Sequence, residues 1–476
     1  MAEKKMVRPI KNTPSEKLKY DLLVIGSGPA GQKAALAAAK QHARVALVEQ
    51  RHAVGGVCLH TGTIPSKTMR EAVIYFTGYG VRNYYGEAFR VKEKITPDDL
   101  TFRVEHVVRK ELDVISDQMQ RNGVDMVFGK ASFDSPHQIT VETTPNNNVT
   151  LTGRKIIIAV GAQPARPQHI PFTPGRIIDS DEVLHLQEIP RTMVIVGAGV
   201  IGCEYSSIFA TLDVEVTLVE SRDRILEFAD REIVDHLIYH MRTQEIVLRL
   251  GEAVTRVFID DQNRVVTELE SGKRIISDTL LYAVGRQGAI TDLKLEAAGL
   301  KADDRGRLKI NECYQTEVEH IYAVGDVIGF PSLASTSMEQ GRIAACNALD
   351  SKCETFSDIY PYGIYTIPVI SMVGESEEAL TKSKVPYEIG TARYGETAKG
   401  HMLGDPSGML KILFHRESHH ILGVHAIGDE AAELIHIGQA VMAHNGKIDY
   451  FVNTVFNYPT LAEVYKIAAY NGLNKL

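Results

Sequence analysis

The sequence predicts an α/β protein in which one βαβ unit is written twice and followed by an α+β module. Three observations carry that prediction. Residues 21–49 read DLLVIGSGPAGQKAALAAAKQHARVALVE, and residues 192–220 read TMVIVGAGVIGCEYSSIFATLDVEVTLVE. Each stretch sets glycines in G-x-G-x-x-G spacing, Gly26, Gly28 and Gly31 in the first and Gly197, Gly199 and Gly202 in the second. In each, an acid closes the second strand 23 residues after the first glycine (49 − 26 and 220 − 197). From about residue 356 the texture changes. Strand-like runs at 410–414 and 421–425 then alternate with helical stretches such as 430–445.

Each part of the repeated unit has a physical reason. The runs 22–25 and 193–196 are short and apolar, suited to buried parallel strands. The first glycine permits the tight turn after the strand. The second lets the backbone approach a pyrophosphate, and the third lets helix and strand pack closely. The following helix presents free N–H groups and a positive dipole end to an anion. Glu49 and Glu220 are then placed to accept hydrogen bonds from a ribose diol. Two such Rossmann-like units on one chain imply two dinucleotides, one held tightly and one exchangeable.

The first unit closes on a strand at 156–159 and the turn Val160-Gly161, and the second on a similar strand and the turn Val284-Gly285. Prolines at 164, 167, 171 and 174 mark a crossing segment between them. This gives an N-terminal tail at 1–17, a first nucleotide domain at 18–164 and a second at 165–285. A return to the first domain follows at 286–355, and the closing module covers 356–476. The stretch 145–148, Pro-Asn-Asn-Asn, reads as a hairpin turn.

Composition narrows the function. The chain has 476 residues and a formal net charge of −8, which argues against a nucleic-acid partner. It has no apolar run of about 18 residues and no signal-peptide core, so neither a membrane span nor secretion is expected. The polar, basic stretch 1–17 reads as a disordered tail. Five scattered cysteines without a C-x-x-C pair suit a reducing cytoplasm, and no metal site is expected. His60 and His425 lack the partner spacing of metal ligands. Cys203 reads as a core residue.

The stretch 55–67, GGVCLHTGTIPSK, resembles the redox motif of the flavoprotein disulfide reductases, such as lipoamide dehydrogenase and glutathione reductase. Their pattern is G-G-x-C-x-x-x-x-C-x-P-S-K. The resemblance spans nearly the whole chain. It takes in both nucleotide units, Gly325-Asp326 with Leu333-Ala334, and the final Tyr-Pro-Thr-Leu-Ala-Glu at 458–463. It implies an FAD domain, an NAD(P) domain and a C-terminal dimerisation domain, with the active site shared in a homodimer or higher homo-oligomer. It also adds Gly56, Lys67, Gly161, Asp326 and Ala334 to the FAD site, and Arg222 and Gly285 to the NAD(P) site. By that resemblance Lys67 is expected to be the cation near flavin N5, paired with Glu204, and to stabilise an anionic reduced flavin. Asp326 resembles the family's ligand for the ribityl chain, and Ala334 is expected to open a helix whose N-terminus would face the flavin carbonyl.

Two departures from the family pattern bear on the reaction. The second cysteine is Thr63, whose hydroxyl cannot exchange a disulfide, so Cys58 has no resolving partner. The histidine of the family's C-terminal motif is Tyr458, a poor base at neutral pH. Both changes disable the dithiol relay and leave the nicotinamide side intact. The retained half together with Thr63 closely resembles the soluble pyridine nucleotide transhydrogenases. That resemblance implies hydride exchange between NADPH and NAD⁺ by a ping-pong route, with NAD(H) and NADP(H) as substrates. Cys58 reads either as a group that touches the flavin or as a packing remnant. Glu220 suits the free 2′-hydroxyl of NAD, while Arg222, and less so Arg224, can meet a 2′-phosphate. Val369 and Ala289 depart from residues common in relatives, with no function attached. Two further readings remain: a dehydrogenase that passes electrons to a quinone or another diffusible acceptor, and a non-catalytic FAD-binding redox sensor.

Overall fold

The computed structural model describes residues 18–476 except 87, 145–146, 353–354 and 356–357. The expected tail at 1–17 lies outside the described residues. So does half of the expected turn at 145–148, whose flanking strands Gln138–Thr144 and Asn147–Ile158 are antiparallel, with Thr144 opposite Asn147.

The described chain forms two compact units. The first is made by the described residues within Met1–Thr68, Phe102–Ala165 and Gly285–Phe356. Its main sheet runs Asp125–Phe128, Val45–Glu49, Leu18–Ile25 and Asn147–Ile158, all parallel. The last of these strands changes partner along its length. Residues 147–152 pair antiparallel with Gln138–Thr144, and 156–158 pair parallel with Ile321–Ala323. The expected apolar run at 22–25 lies inside this sheet. Leu22 and Val24 face one core with Ala30, Ala34 and Ala344, while Leu23 and Ile25 face a second with Phe133, Ile139 and Leu308. Burying a side chain of this kind stabilises by roughly 1.5–3 kcal/mol. A run buried on both faces therefore needs no alternation of polar residues. The helices Pro29–Ala39 and Ala334–Ala348 cross closely at Gly341, where a Cβ would stand 2.0 Å from the Ala30 carbonyl oxygen.

The second unit draws on Met69–Thr101, Arg166–Val284 and Ser357–Leu476. It holds a five-stranded parallel sheet in the order Val247–Leu250, Glu215–Glu220, Thr192–Val196, Thr279–Tyr282, Ile177–Asp179. A three-stranded antiparallel sheet, Val254–Ile259, Val265–Leu269 and Arg274–Ser277, accompanies it. The C-terminal part is the α+β module read from the sequence. Its five-stranded antiparallel sheet runs Tyr362–Ile364, Ile370–Gly374, Ile421–Ile427, Met409–His415, Tyr387–Arg393. Helices Ala431–Ala443 and Glu463–Leu473 supply Leu434, Ile435, Val464 and Tyr465 to its core.

One buried charge in this unit has no counterpart in the sequence reading. Lys411 sits in the apolar strand Met409–His415 and is completely buried. Its Nζ lies 3.0 Å from Asp230, 3.0 Å from Glu232 and 2.6 Å from Glu377. A lysine out of water is tolerated only when paired and hydrogen-bonded, and three carboxylates meet that need.

Candidate active site

The first glycine loop is shaped by its own backbone. Gly26 has φ +102, and a Cβ there would lie 2.4 Å from the Ala159 carbonyl oxygen. A Cβ on Gly31 would lie 1.8 Å from the oxygen of Gly26. Gly28 differs, because a Cβ there would meet nothing within 4 Å. Gly28 is also the N-cap of helix Pro29–Ala39 and gives it no side-chain cap. Protein packing thus demands the first and third glycines, whereas the second borders open space in front of uncapped helical N–H groups. That is the shape a pyrophosphate needs.

The remaining residues expected around this loop converge on it. Gly56, with φ +59, would bring a Cβ to 2.8 Å from the Gly28 Cα. Glu49 accepts the Ser27 N–H at 3.1 Å, the Ser27 hydroxyl and the Arg51 N–H at 2.9 Å. A carboxylate has about four lone-pair positions, so Glu49 retains capacity for a ribose. Gly161 has φ +70 in the turn after the strand ending at Ile158. Gly325 packs near Ala30, and its N–H is accepted by Gln340 at 2.9 Å, which ties the turn to helix Ala334–Ala348. That helix also starts without a side-chain cap. Asp326 keeps an edge open to solvent although protein atoms surround it deeply. Burial pushes its carboxyl up, against the pull of Arg286. No described residue donates a hydrogen bond to it. A deep carboxylate lacking a donor fits a polyhydroxylated chain such as ribityl. These residues fit bound FAD.

Cys58 lies in the short helix Gly56–His60, and helix Thr63–Thr77 follows. Burial pushes the Cys58 thiol up, and the hydrogen bond from Thr63 and the charge of Lys67 offset only part of that. Where a disulfide-exchanging pair needs a second sulfur, Cys58 meets a hydroxyl. Its own proton is held at neutral pH, so it is a poor nucleophile. Lys67 Nζ lies 3.3 Å from the Ser66 hydroxyl.

The second loop repeats the first in the other unit. Gly197 has φ +100, and a Cβ there would lie 2.9 Å from the Ala283 oxygen. A Cβ on Gly202 would lie 1.8 Å from the Gly197 oxygen, and one on Gly199 would meet nothing within 4 Å. Glu220 accepts the Ala198 N–H at 2.7 Å, as Glu49 accepts that of Ser27. Gly285 falls in the first unit, where φ is +78 and its carbonyl accepts the Ala165 N–H at 3.2 Å.

Arg222 is folded back on Glu220. Its Nε and Nη2 lie 3.0 and 2.9 Å from the two carboxylate oxygens, and its Nη1 reaches Glu227 at 3.3 Å. Burial pushes the Glu220 carboxyl up, but Arg222 and two backbone N–H groups outweigh it and bring it down to about 2. The acid that suits NAD is therefore ionised yet neutralised by a bidentate guanidinium. Arg224 is engaged elsewhere, with the Ala229 carbonyl at 3.1 Å and Glu378 at 3.6 Å.

Glu204 is buried in helix Val200–Thr211, and its Oε1 accepts the Tyr365 N–H at 2.9 Å. Tyr458 and Val455 are exposed, and Oε2 of Glu463 is buried with no hydrogen-bond partner among the described residues. Two residues outside the motifs, Arg70 and Ser207, hold the backbone next to Tyr365. Nothing in their local sequence marks either one.

Residues 20–341 match the family model described as pyridine nucleotide-disulphide oxidoreductase, and 360–469 match its dimerisation domain. Relatives called soluble pyridine nucleotide transhydrogenase share much of the sequence. The one from Mycobacterium bovis (strain BCG / Pasteur 1173P2) is 51% identical over 96% of this chain and 98% of its own length. The one from Colwellia psychrerythraea is 47% identical over the same shares. Among solved structures, the HOCl-induced flavoprotein disulfide reductase RclA from Escherichia coli superposes with a TM-score of 0.85 at 28% identity, over 95% of this chain and 99% of that one. LpdA from Mycobacterium tuberculosis has the same fold, with a TM-score of 0.87 at 23% identity over 95% and 99%.

Proposed function

The chain belongs to the pyridine nucleotide-disulphide oxidoreductase family, and on that premise we propose that it exchanges hydride between NADPH and NAD⁺, in either direction, as an FAD-dependent transhydrogenase. The observation that carries this reading is the pairing of Cys58 with Thr63. The thiol keeps its proton and faces a hydroxyl, so electrons have no sulfur relay to leave by. Bound FAD supplies a two-electron acceptor and donor at N5. The chain's own residues hold that group and admit the nicotinamide nucleotides. Gly26, Gly28, Gly31, Gly56 and Glu49 hold the adenosine diphosphate end, and Asp326 holds the ribityl chain. Gly161 and the helix opened by Ala334 complete the FAD site, and Lys67 and Glu204 serve the reacting end. Gly197, Gly199, Gly202 and Gly285 admit the second dinucleotide. With one such second site, donor and acceptor must take turns, which is the reason for a ping-pong order. Cys58 is assigned no electron-carrying part.

We assign dual nucleotide use to the Glu220–Arg222 pair. A bare Glu220 would repel a 2′-phosphate, and Arg222 cancels that charge while offering donors to the phosphate. Arg222→Ala is expected to raise the KM for NADPH about 10- to 100-fold, the size of a lost charge-assisted hydrogen bond. The KM for NADH is expected to stay within about threefold, since Glu220 still serves the ribose diol. Steady-state kinetics with each donor checks this.

The deciding assay mixes NADPH with a chromogenic NAD⁺ analogue, with lipoamide and a quinone as alternative acceptors. Reduction of the analogue without reduction of lipoamide is expected. Rapid quinone reduction with an inert analogue would transfer the assignment to a quinone-reducing dehydrogenase. The match to a dimerisation domain at 360–469, with Val455 and Tyr458 exposed, supports a homodimer. Among the described residues no helix is long and apolar enough to cross a membrane, and Cys58, Cys203, Cys313 and Cys346 are free thiols. The scattered free thiols support work in a reducing cytoplasm.

A further inference from the structure

The strands Tyr362–Ile364 and Ile370–Gly374 form a hairpin whose tip, residues 365–369, is buried at three positions and half-buried at Tyr365 and Pro368. Thr366, Ile367 and Val369 are at most 6% exposed. Loops normally run over the surface, because buried backbone groups need partners. At this tip the partners come from side chains. The Tyr365 N–H is accepted by Glu204 Oε1 at 2.9 Å, and the Ile367 N–H by Ser207 Oγ at 3.0 Å. The Thr366 carbonyl takes Arg70 Nε at 3.0 Å, and the Pro368 carbonyl takes the Thr366 hydroxyl at 2.6 Å. Glu204 and Ser207 are three residues apart on helix Val200–Thr211, so they share one face. Arg70 is itself buried.

We propose that this hairpin tip is a positioning element for Glu204, with Arg70 and Ser207 as its positioning residues. A glutamate side chain turns about three bonds, and the Tyr365 N–H restrains one of its two carboxylate oxygens. Ser207 on one side and Arg70 on the other fix the Tyr365 N–H in space. The hydrogen bond to Oε1 then orients the carboxylate. The inference rests on the reading that Glu204 serves hydride transfer, since misplacement of a group there costs rate.

The test uses the holoenzyme and three readouts: amide hydrogen exchange at Tyr365 and Ile367, the stopped-flow rate of flavin reduction by NADPH with its pH profile, and the NADPH dissociation constant. Ser207→Ala and Arg70→Gln are expected to speed exchange at the tip about 10-fold or more and to slow flavin reduction about 5- to 20-fold. The dissociation constant should stay within about twofold, and Ser207→Thr and Arg70→Lys, which keep a polar group at each point, should recover part of the rate. Faster exchange with wild-type reduction at every pH would make the tip a structural part only and overturn the inference. Unchanged exchange in Ser207→Ala would overturn it as well. Glu204→Gln separates the two levels: if it reduces its flavin at the wild-type rate, the role of Glu204 itself fails, whereas a slow Glu204→Gln beside fast, loosened tip variants defeats only the hairpin. If Arg70→Gln does not fold, Ser207→Ala alone decides.

Discussion

Gly31→Ala and Gly28→Ala are expected to lose the flavin for opposite reasons. At Gly31 the added Cβ would stand 1.8 Å from the Gly26 oxygen, which belongs to backbone that cannot turn aside. The helix must shift, and stability should fall by about 3 kcal/mol or more, the upper end for overpacking. At Gly28 the backbone is ordinary, with φ −64, and the new methyl meets no protein atom within 4 Å. The stability of the Gly28→Ala apoprotein should therefore stay within about 0.5 kcal/mol of the parent. Its methyl would occupy the space through which the backbone meets a pyrophosphate, so the protein should purify with little flavin. Thermal unfolding of the apoproteins and the flavin-to-protein ratio after reconstitution check both claims. A fully flavinated Gly28→Ala would mean that the open face of this loop is not where the pyrophosphate lies.

Lys411→Met is expected to destabilise the second unit by about 3–5 kcal/mol, the cost of leaving buried charge without its partner. Asp230 is almost wholly buried, and Glu232 and Glu377 crowd the same point. Adding Asp230→Asn and Glu377→Gln to Lys411→Met should return part of the loss. The pH dependence has a definite sign. Burial pushes the Asp230 carboxyl up, but His425 and the Lys411 ammonium hold it below the ordinary 3.8. A carboxyl depressed in the folded state contributes stability above its unfolded value and loses that contribution as pH falls through the folded one. Lys411 is raised above 10.5 by its carboxylates despite burial, so its contribution is complete at any pH below that. Without the ammonium, the Asp230 carboxyl should instead be raised, and the variant should gain relative to the parent as pH drops from 7 toward 4. Denaturant unfolding at several pH values measures the gap. A gap that widens on acidification would show that the three carboxylates do not act as a charged cluster.

The two glycine loops were legible because their constraints are local. A strand, a left-handed first glycine, a third glycine under a carbonyl and a closing acid all fall within 30 residues, and each leaves a letter in the sequence. The loss of the sulfur relay was legible for a similar reason: Thr63 is a change of chemistry at a motif position, readable without coordinates. Arg222 was only half legible. Its presence beside Glu220 suggested a phosphate ligand, but whether the guanidinium reaches outward or folds back depends on rotamers and on Glu227. In the structure it clamps the acid.

By itself, then, the sequence determined the duplicated nucleotide units, the α+β module and the absence of a cysteine pair, because backbone sterics and functional-group identity act over short stretches of chain. Only the tertiary structure decided how charges and loops are held. Lys411 lies 181 residues from Asp230, Arg70 lies 296 residues from Thr366, and Glu204 lies 161 from Tyr365. Such partners meet only after the sheets have packed. A lone lysine in an apolar strand or an arginine on a helix carries no local sign of what will neutralise it.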